Sequence, residues 1–226
     1  ERGRFSKSVW LALSRLAEPR RALVPVAVSL VLLGWALWKQ GDLKTGDMGS
    51  GVPELRADSR YNRDNAAIVK DFAIGVDVLS VIAQSSGVEG ACTDFAVMDA
   101  IDRFDFHIRG AEGVQSVVSL PGIAKVVSAG FNEGSLKWRA LSRNRDVLAQ
   151  SVTPIDTSSG LLNPDCSAMQ VLIFTRDHKA ETIAHIVSEV KRFARENDSD
   201  RIKFLLASGN VGVMAATNEA VDAAQV

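Results

Sequence analysis

The residues best suited to proton transfer near neutral pH are the three histidines, His107, His178 and His185. His107 closes a helical stretch, where a cation meets the negative end of the helix dipole. His178 falls in a turn ahead of a helix, and His185 is flanked by Ala184 and Ile186 on a helix flank. None stands in a nucleophile, base and orienter pattern, so structural roles account for all three. The acidic run Asp94, Asp99, Asp102 and Asp105 places Asp99 and Asp102 on one helical face at i, i+3, but nothing nearby supplies a third ligand, and a solvated face is the expectation. The glycine-rich stretches "GSG" (49–51) and "SGNVG" (208–212) lack the lysine of a phosphate-binding loop and read as turns. No catalytic residue, metal ligand or cofactor is therefore expected. The remaining chemistry lies in the only two cysteines, Cys92 and Cys166, which can form a disulfide if their side of the chain is oxidising and otherwise remain two structural thiols. Neither has a histidine at metal-ligand spacing.

Whether that side is oxidising depends on "PRRALVPVAVSLVLLGWALWKQGD" (19–42). From Ala22 to Trp38 it carries no charge. At about 1.5 Å per residue, a helix of that length approaches the roughly 30 Å apolar slab of a bilayer. Its apolar character runs all round, unlike the single apolar face of a core helix. It is longer than the apolar part of a signal peptide, and no small-residue cleavage site follows. A membrane span over 22–40 is expected, with Pro25 in its first turn and Trp35 and Trp38 near the interface. The basic segment before it, 1–21, holds Arg2, Arg4, Lys7, Arg15, Arg20 and Arg21 against Glu1 and Glu18, whereas the near side after it is close to neutral. The excess of positive charge puts the N-terminus in the cytoplasm and the remaining chain on the other side of the membrane, periplasmic or extracellular. Within the leader, Phe5, Val9, Leu13 and Leu16 recur at helical spacing, as for a helix lying along the membrane surface or packed on protein.

The 226 residues carry a formal net charge of −1, which argues against nucleic acid as a partner; the basic excess near the span suits lipid headgroups. Residues 41–70 read as an extended, turn-rich connector. In "DFAIGVDVLSVIAQ", Phe72, Ile74, Val76 and Val78 alternate as in a strand. A helix follows with Val97, Met98, Ile101, Phe104 and Ile108 on one stripe, then a strand over 113–120. The region 120–154 looks helical in short pieces, with Ser119, Ser135 and Asn144 as N-caps and Gly130 and Gly134 as interruptions. After the loop "TSSGLLNPDC" the first pattern returns: the strand "SAMQVLIFTRD", a helix with Ile183, Ile186, Val187, Val190 and Phe193 on one face, and the strand "RIKFLLASG". The segment 209–226 reads as a helix. The fold class is thus α+β: a domain over 71–208 of two βαβ units in a split βαβ, ferredoxin-like sandwich, interrupted by a helical insertion.

"GVPELRADSRYN" (51–62) after the span and "GNVGVMAATNEAV" (209–221) at the far end resemble the resistance–nodulation–division superfamily of proton-driven exporters, in particular its lipid- and hydrophobe-exporting branch with the MmpL-like and hopanoid-exporter proteins. The resemblance covers nearly the whole chain. It implies a bacterial inner-membrane protein with a periplasmic porter loop of βαβ units between two spans, so that Glu1 would be an internal position of a longer polytopic transporter and the last helix would lead toward another span. It also implies a hydrophobic or lipid-like substrate, with Phe72, Phe131, Trp138 and Leu141 as candidate apolar lining, although a packed core explains each as readily. The implied partners are membrane lipid, the rest of the transporter, a second copy of the chain and envelope accessory proteins. The family's membrane-buried acidic relay has no counterpart here, since the span is uncharged. The competing reading is a single-pass envelope protein whose α+β domain binds a partner or senses a ligand.

Overall fold

The computed structural model describes residues 19–40, 55–56, 58–72, 74–206 and 209–224. The chain divides into two units, Glu1–Lys44 and Thr45–Val226. Of the expected leader, 1–21, residues 1–18 lie outside the described residues, as do the turn at 49–51 and the first half of the connector.

In the first unit, helix α1 spans Pro19–Gln40. Its window Ala22–Lys39 is long and apolar enough to cross a membrane, and none of it is buried. Leu23, Val31 and Trp38 are exposed to 66%, 71% and 75%. Such a surface is unfavourable in water and matched to hydrocarbon. Lys39 lies 5.2 Å from the Trp38 ring centre, a cation–π contact at the end where an interfacial pair is favourable. The helix starts at Pro19, so Pro25 sits inside it and not in its first turn. A proline there removes one backbone donor from the ladder.

The second unit begins with a correction. The expected connector contains helix α2, Arg60–Asp71, capped by Ser59, whose hydroxyl accepts from the Asn62 N–H at 3.2 Å. No residue of α2 is buried, so it has no apolar stripe by which periodicity could reveal it. Its end is tied down by Gln115, whose Nε2 donates to the carbonyls of Val69 and Phe72, both at 2.6 Å.

Strand β1 runs Val78–Ser85, later than the alternation suggested. Phe72, Ile74 and Val76 precede it and are largely exposed. The buried face of β1 is the odd-numbered series Leu79, Val81 and Ala83, one residue out of phase with the expected one. Helix α3, Phe95–Arg109, is capped by Asp94, which accepts from the Val97 N–H at 3.0 Å. Strand β2 is Val114–Val118 and helix α4 is Leu120–Phe131, whose cap Ser119 accepts from the Gly122 N–H at 3.2 Å. Gly130 is helical and interrupts nothing, whereas Gly134 lies beyond the helix with φ of 75°. A 3-10 turn follows at Leu136–Trp138; its cap Ser135 makes no side-chain capping bond. Helix α5, Arg145–Val152, is capped by Asn144 through the Asp146 and Val147 N–H groups. Strand β3 (Ala168–Thr175), helix α6 (Ala180–Asn197), strand β4 (Ile202–Leu206) and helix α7 (Asn210–Ala224) complete the unit.

The four strands form one sheet in the order β2-β3-β1-β4, every neighbouring pair antiparallel. Each strand–helix–strand unit therefore places one of its strands between the two of the other. Register pairs Val81 with Val171, Ala83 with Phe204 and Val117 with Ile173, so the inward positions of all four strands share a face. Helices α3 and α6 pack on each other and beside β2 and β4 respectively. At their meeting point the rings of Phe104, Phe193 and Phe204 have centroids 5.0–5.2 Å apart. Phe104 is fully buried, and its truncation to alanine would cost roughly 3–5 kcal/mol. The apolar stripes of α3 and α6 are those the spacing predicts.

Cys92, in a 3-10 turn at Ala91–Thr93, is bonded to Cys166 in the loop before β3, with Cα atoms 5.3 Å apart. Helix α5 packs against that turn, so the bridge fastens the base of the helical insertion to the sheet.

Candidate functional site: a charged, apolar-walled cavity between α3 and α4

Three features of the sequence converge where α3 passes the end of β2. Asp105 lies on the buried stripe of α3, in contrast to the solvated position expected for it, and is only 3% exposed. A buried carboxylate requires partners. Asp105 accepts from Arg109 one turn on, through Nε to Oδ1 and through Nη2 to Oδ2 at 3.3 Å, and from the hydroxyl of Ser119. Arg109 Nη2 also donates to the Val117 carbonyl at 2.6 Å, joining α3 to β2. Ser119 has two roles, since its oxygen also caps α4. A Cβ at Gly122 would stand 3.1 Å from the Ser119 oxygen and 3.4 Å from the Asp105 Oδ2, so a side chain there would crowd the cap.

This network forms the floor of a cavity of about 810 Å³, within the size range of small-molecule sites. One wall is apolar: Phe106, Val117, Val118, Ile123 and Val126. Phe106 is 83% exposed and Val126 51%, so large apolar side chains stand open to solvent on this wall. The rim is charged. Lys125 pairs with Asp102 at 2.5 Å and Arg103 with Asp99 at 3.2 Å, and Arg139 stands at the edge. Such an arrangement can receive a molecule with an apolar body and hold a polar end by charge-assisted hydrogen bonds.

The four apolar residues expected at a site lie outside this cavity. Phe72 caps the end of α2 and is 62% exposed; Phe131 ends α4 and Trp138 ends the next 3-10 turn, both more than half exposed. Leu141 is partly buried against the core. None lines the cavity, although Arg139 follows Trp138 directly. From the sequence, Asp105 reads as one member of a solvated acidic run and Ser119 only as a helix cap, and neither reading joins them to Arg109. The signal for them is the i, i+4 spacing of Asp105 and Arg109, on the α3 face that carries Ile101 and Ile108.

None of the three histidines lines this cavity. His178 is buried, its Nδ1 3.1 Å from Asp77 Oδ2. His107 Nε2 lies 3.2 Å from Glu189 Oε2, an ion-pair distance without hydrogen-bond alignment. His185 lines a small polar cavity with Glu112, Arg176 and Asp177. There Asp177 is held below the ordinary carboxylate range: partial burial opposes ionisation, but the Thr182 hydroxyl, the Lys179 N–H and the Lys179 charge together outweigh it. No group of three or more metal-ligating side chains occurs among the described residues. Comparison with protein-family models, with curated proteins and with solved structures gives no match.

Proposed function

We propose that the chain is the porter segment, with its membrane anchor, of a proton-driven exporter of the resistance–nodulation–division type that handles lipids or other hydrophobic molecules. The observation that carries this reading is one apolar, membrane-length helix followed in sequence by an α+β unit whose two βαβ halves interleave in one antiparallel sheet. The order β2-β3-β1-β4 in an antiparallel sheet supports a split βαβ, ferredoxin-like reading, the architecture that the resemblance at 51–62 and 209–221 implies for a porter. The basic leader argues for a cytoplasmic N-terminus and a periplasmic domain. The Cys92–Cys166 bridge agrees with an oxidising compartment. The cavity supplies an apolar wall for a substrate, and movement of the porter domain as one body within the complete transporter would open and close access to it in alternating access.

The test is transport by the intact gene product. Cells lacking the gene and cells carrying it are loaded with a fluorescent lipid analogue, and its appearance outside the inner membrane is followed with and without a protonophore. Faster, protonophore-sensitive export in the complemented cells is the expected result. Equal rates in both strains would overturn the transport reading in favour of a single-pass binding module.

A further inference from the structure

The cavity between α3 and α4 carries more positive than negative charge, and the surplus gives its ligand a sign. Four cations line it, Arg103, Arg109, Lys125 and Arg139, against two carboxylates, Asp102 and Asp105. Asp105 is held by Arg109 and Asp102 by Lys125, and Arg103 turns to Asp99 on its own helix. Among the described residues, that leaves the exposed guanidinium of Arg139 without an ion pair or side-chain hydrogen bond at the rim. The same cavity has an apolar wall, with Phe106 and Val126 open to solvent. An inorganic anion would satisfy the rim and leave the wall wet. A neutral lipid would cover the wall and leave a planar, bidentate donor unmatched.

We propose that this cavity binds an anionic amphiphile, an alkyl chain with a phosphate or carboxylate head, the head at Arg139 and the chain along Phe106, Ile123 and Val126. This rests on the reading of the domain as one that handles hydrophobic molecules, and adds to it the charge of the substrate. Asp105 has a positioning role: through Arg109 and Ser119 it fixes the spacing of the two helices that form the walls.

The test uses the full chain in phosphatidylcholine nanodiscs and two photoreactive probes of identical chain: hexadecyl phosphate and hexadecanol, each bearing a diazirine. Cross-linked peptides are mapped by mass spectrometry. The phosphate probe is expected to label peptides covering 103–126 roughly three- to tenfold more than the alcohol, the range for one partly solvated charge-assisted hydrogen bond. Arg139→Gln is expected to bring that ratio to within about twofold of unity, and Arg139→Lys, which keeps the charge without the bidentate fork, to leave a ratio between those of the parent and Arg139→Gln. Arg139 holds no side chain in place, and the melting temperature of each variant checks that it is folded. Equal labelling by both probes in the unmodified chain would overturn the anionic assignment and leave the hydrophobic-binding reading standing. Labelling by neither probe at 103–126 would overturn both. Displacement of the phosphate probe by an equal concentration of inorganic phosphate would assign the site to the free anion and overturn the amphiphile.

Discussion

Reducing the Cys92–Cys166 bridge removes no atoms from the fold, so its effect measures chain constraint nearly in isolation. The cysteines are 74 residues apart in sequence. In the loop-closure treatment a cross-link of that span contributes roughly 4.4 kcal/mol at 25 °C, and residual structure in the denatured chain commonly brings such values to about 2–4 kcal/mol. The unit that contains the bridge, Thr45–Val226, has 226 − 45 + 1 = 182 residues. In a unit of that size each kcal/mol shifts the melting temperature by about 2–4 °C. A loss near 3 kcal/mol therefore lowers the transition by roughly 6–12 °C. Circular dichroism melts of the full chain in detergent, with and without a phosphine reductant, give the difference, and thiol titration confirms that reduction is complete. The paired variant Cys92→Ala/Cys166→Ala is expected to melt at or below the reduced protein and to ignore the reductant. If two thiols titrate as free while the transition moves by less than about 2 °C, the reasoning that this bridge fastens the insertion to the sheet is wrong.

Asp105→Ala is expected to destabilise the domain by about 2–3 kcal/mol, read from the urea midpoint, since Ser119 loses a buried acceptor while the half-exposed Arg109 recovers water. Gly113→Ala is expected to cost more than a typical surface change, because the residue has φ of +89° and a Cβ there would collide with the Thr182 methyl; a shift in melting temperature no larger than that of Gly130→Ala would contradict this. The exposed Asp165 carboxyl is held below its ordinary value of 3.8 by the Ser167 hydroxyl and N–H. A depressed value in the folded state contributes stability above the unfolded pKa and loses it as pH falls through the folded one. Asp165→Asn should therefore show a smaller loss of melting temperature than the parent between about pH 5 and pH 3.

What could be read from the chain alone divides along physical lines. The apolar stripes of α3 and α6 are legible because burial imposes a 3.6 period, whereas Asp105, buried on the same face of α3, is not. The caps Ser119 and Asn144 were legible because each satisfies free N–H groups by local chemistry. Helix α2 was not, since it buries nothing and is held by its cap, the Arg60–Asp64 pair at 3.4 Å and a tether from Gln115. The start of β1 was misread because Phe72, Ile74 and Val76 mimic a strand face that the register assigns to Leu79, Val81 and Ala83. The cavity depends on tertiary placement: Asp105, Ser119 and Arg139 are distant in sequence, and only the packing of α3 on α4 relates them.

The account depends most on α1 crossing a bilayer with the α+β unit on the far side from the basic leader. Ser158 lies in an exposed turn, and with both native cysteines bonded, Ser158→Cys supplies a single free thiol. Intact spheroplasts treated with a membrane-impermeant maleimide should label this variant as fully as lysed ones do. Labelling that occurs only after lysis would place the domain in the cytoplasm and contradict the account.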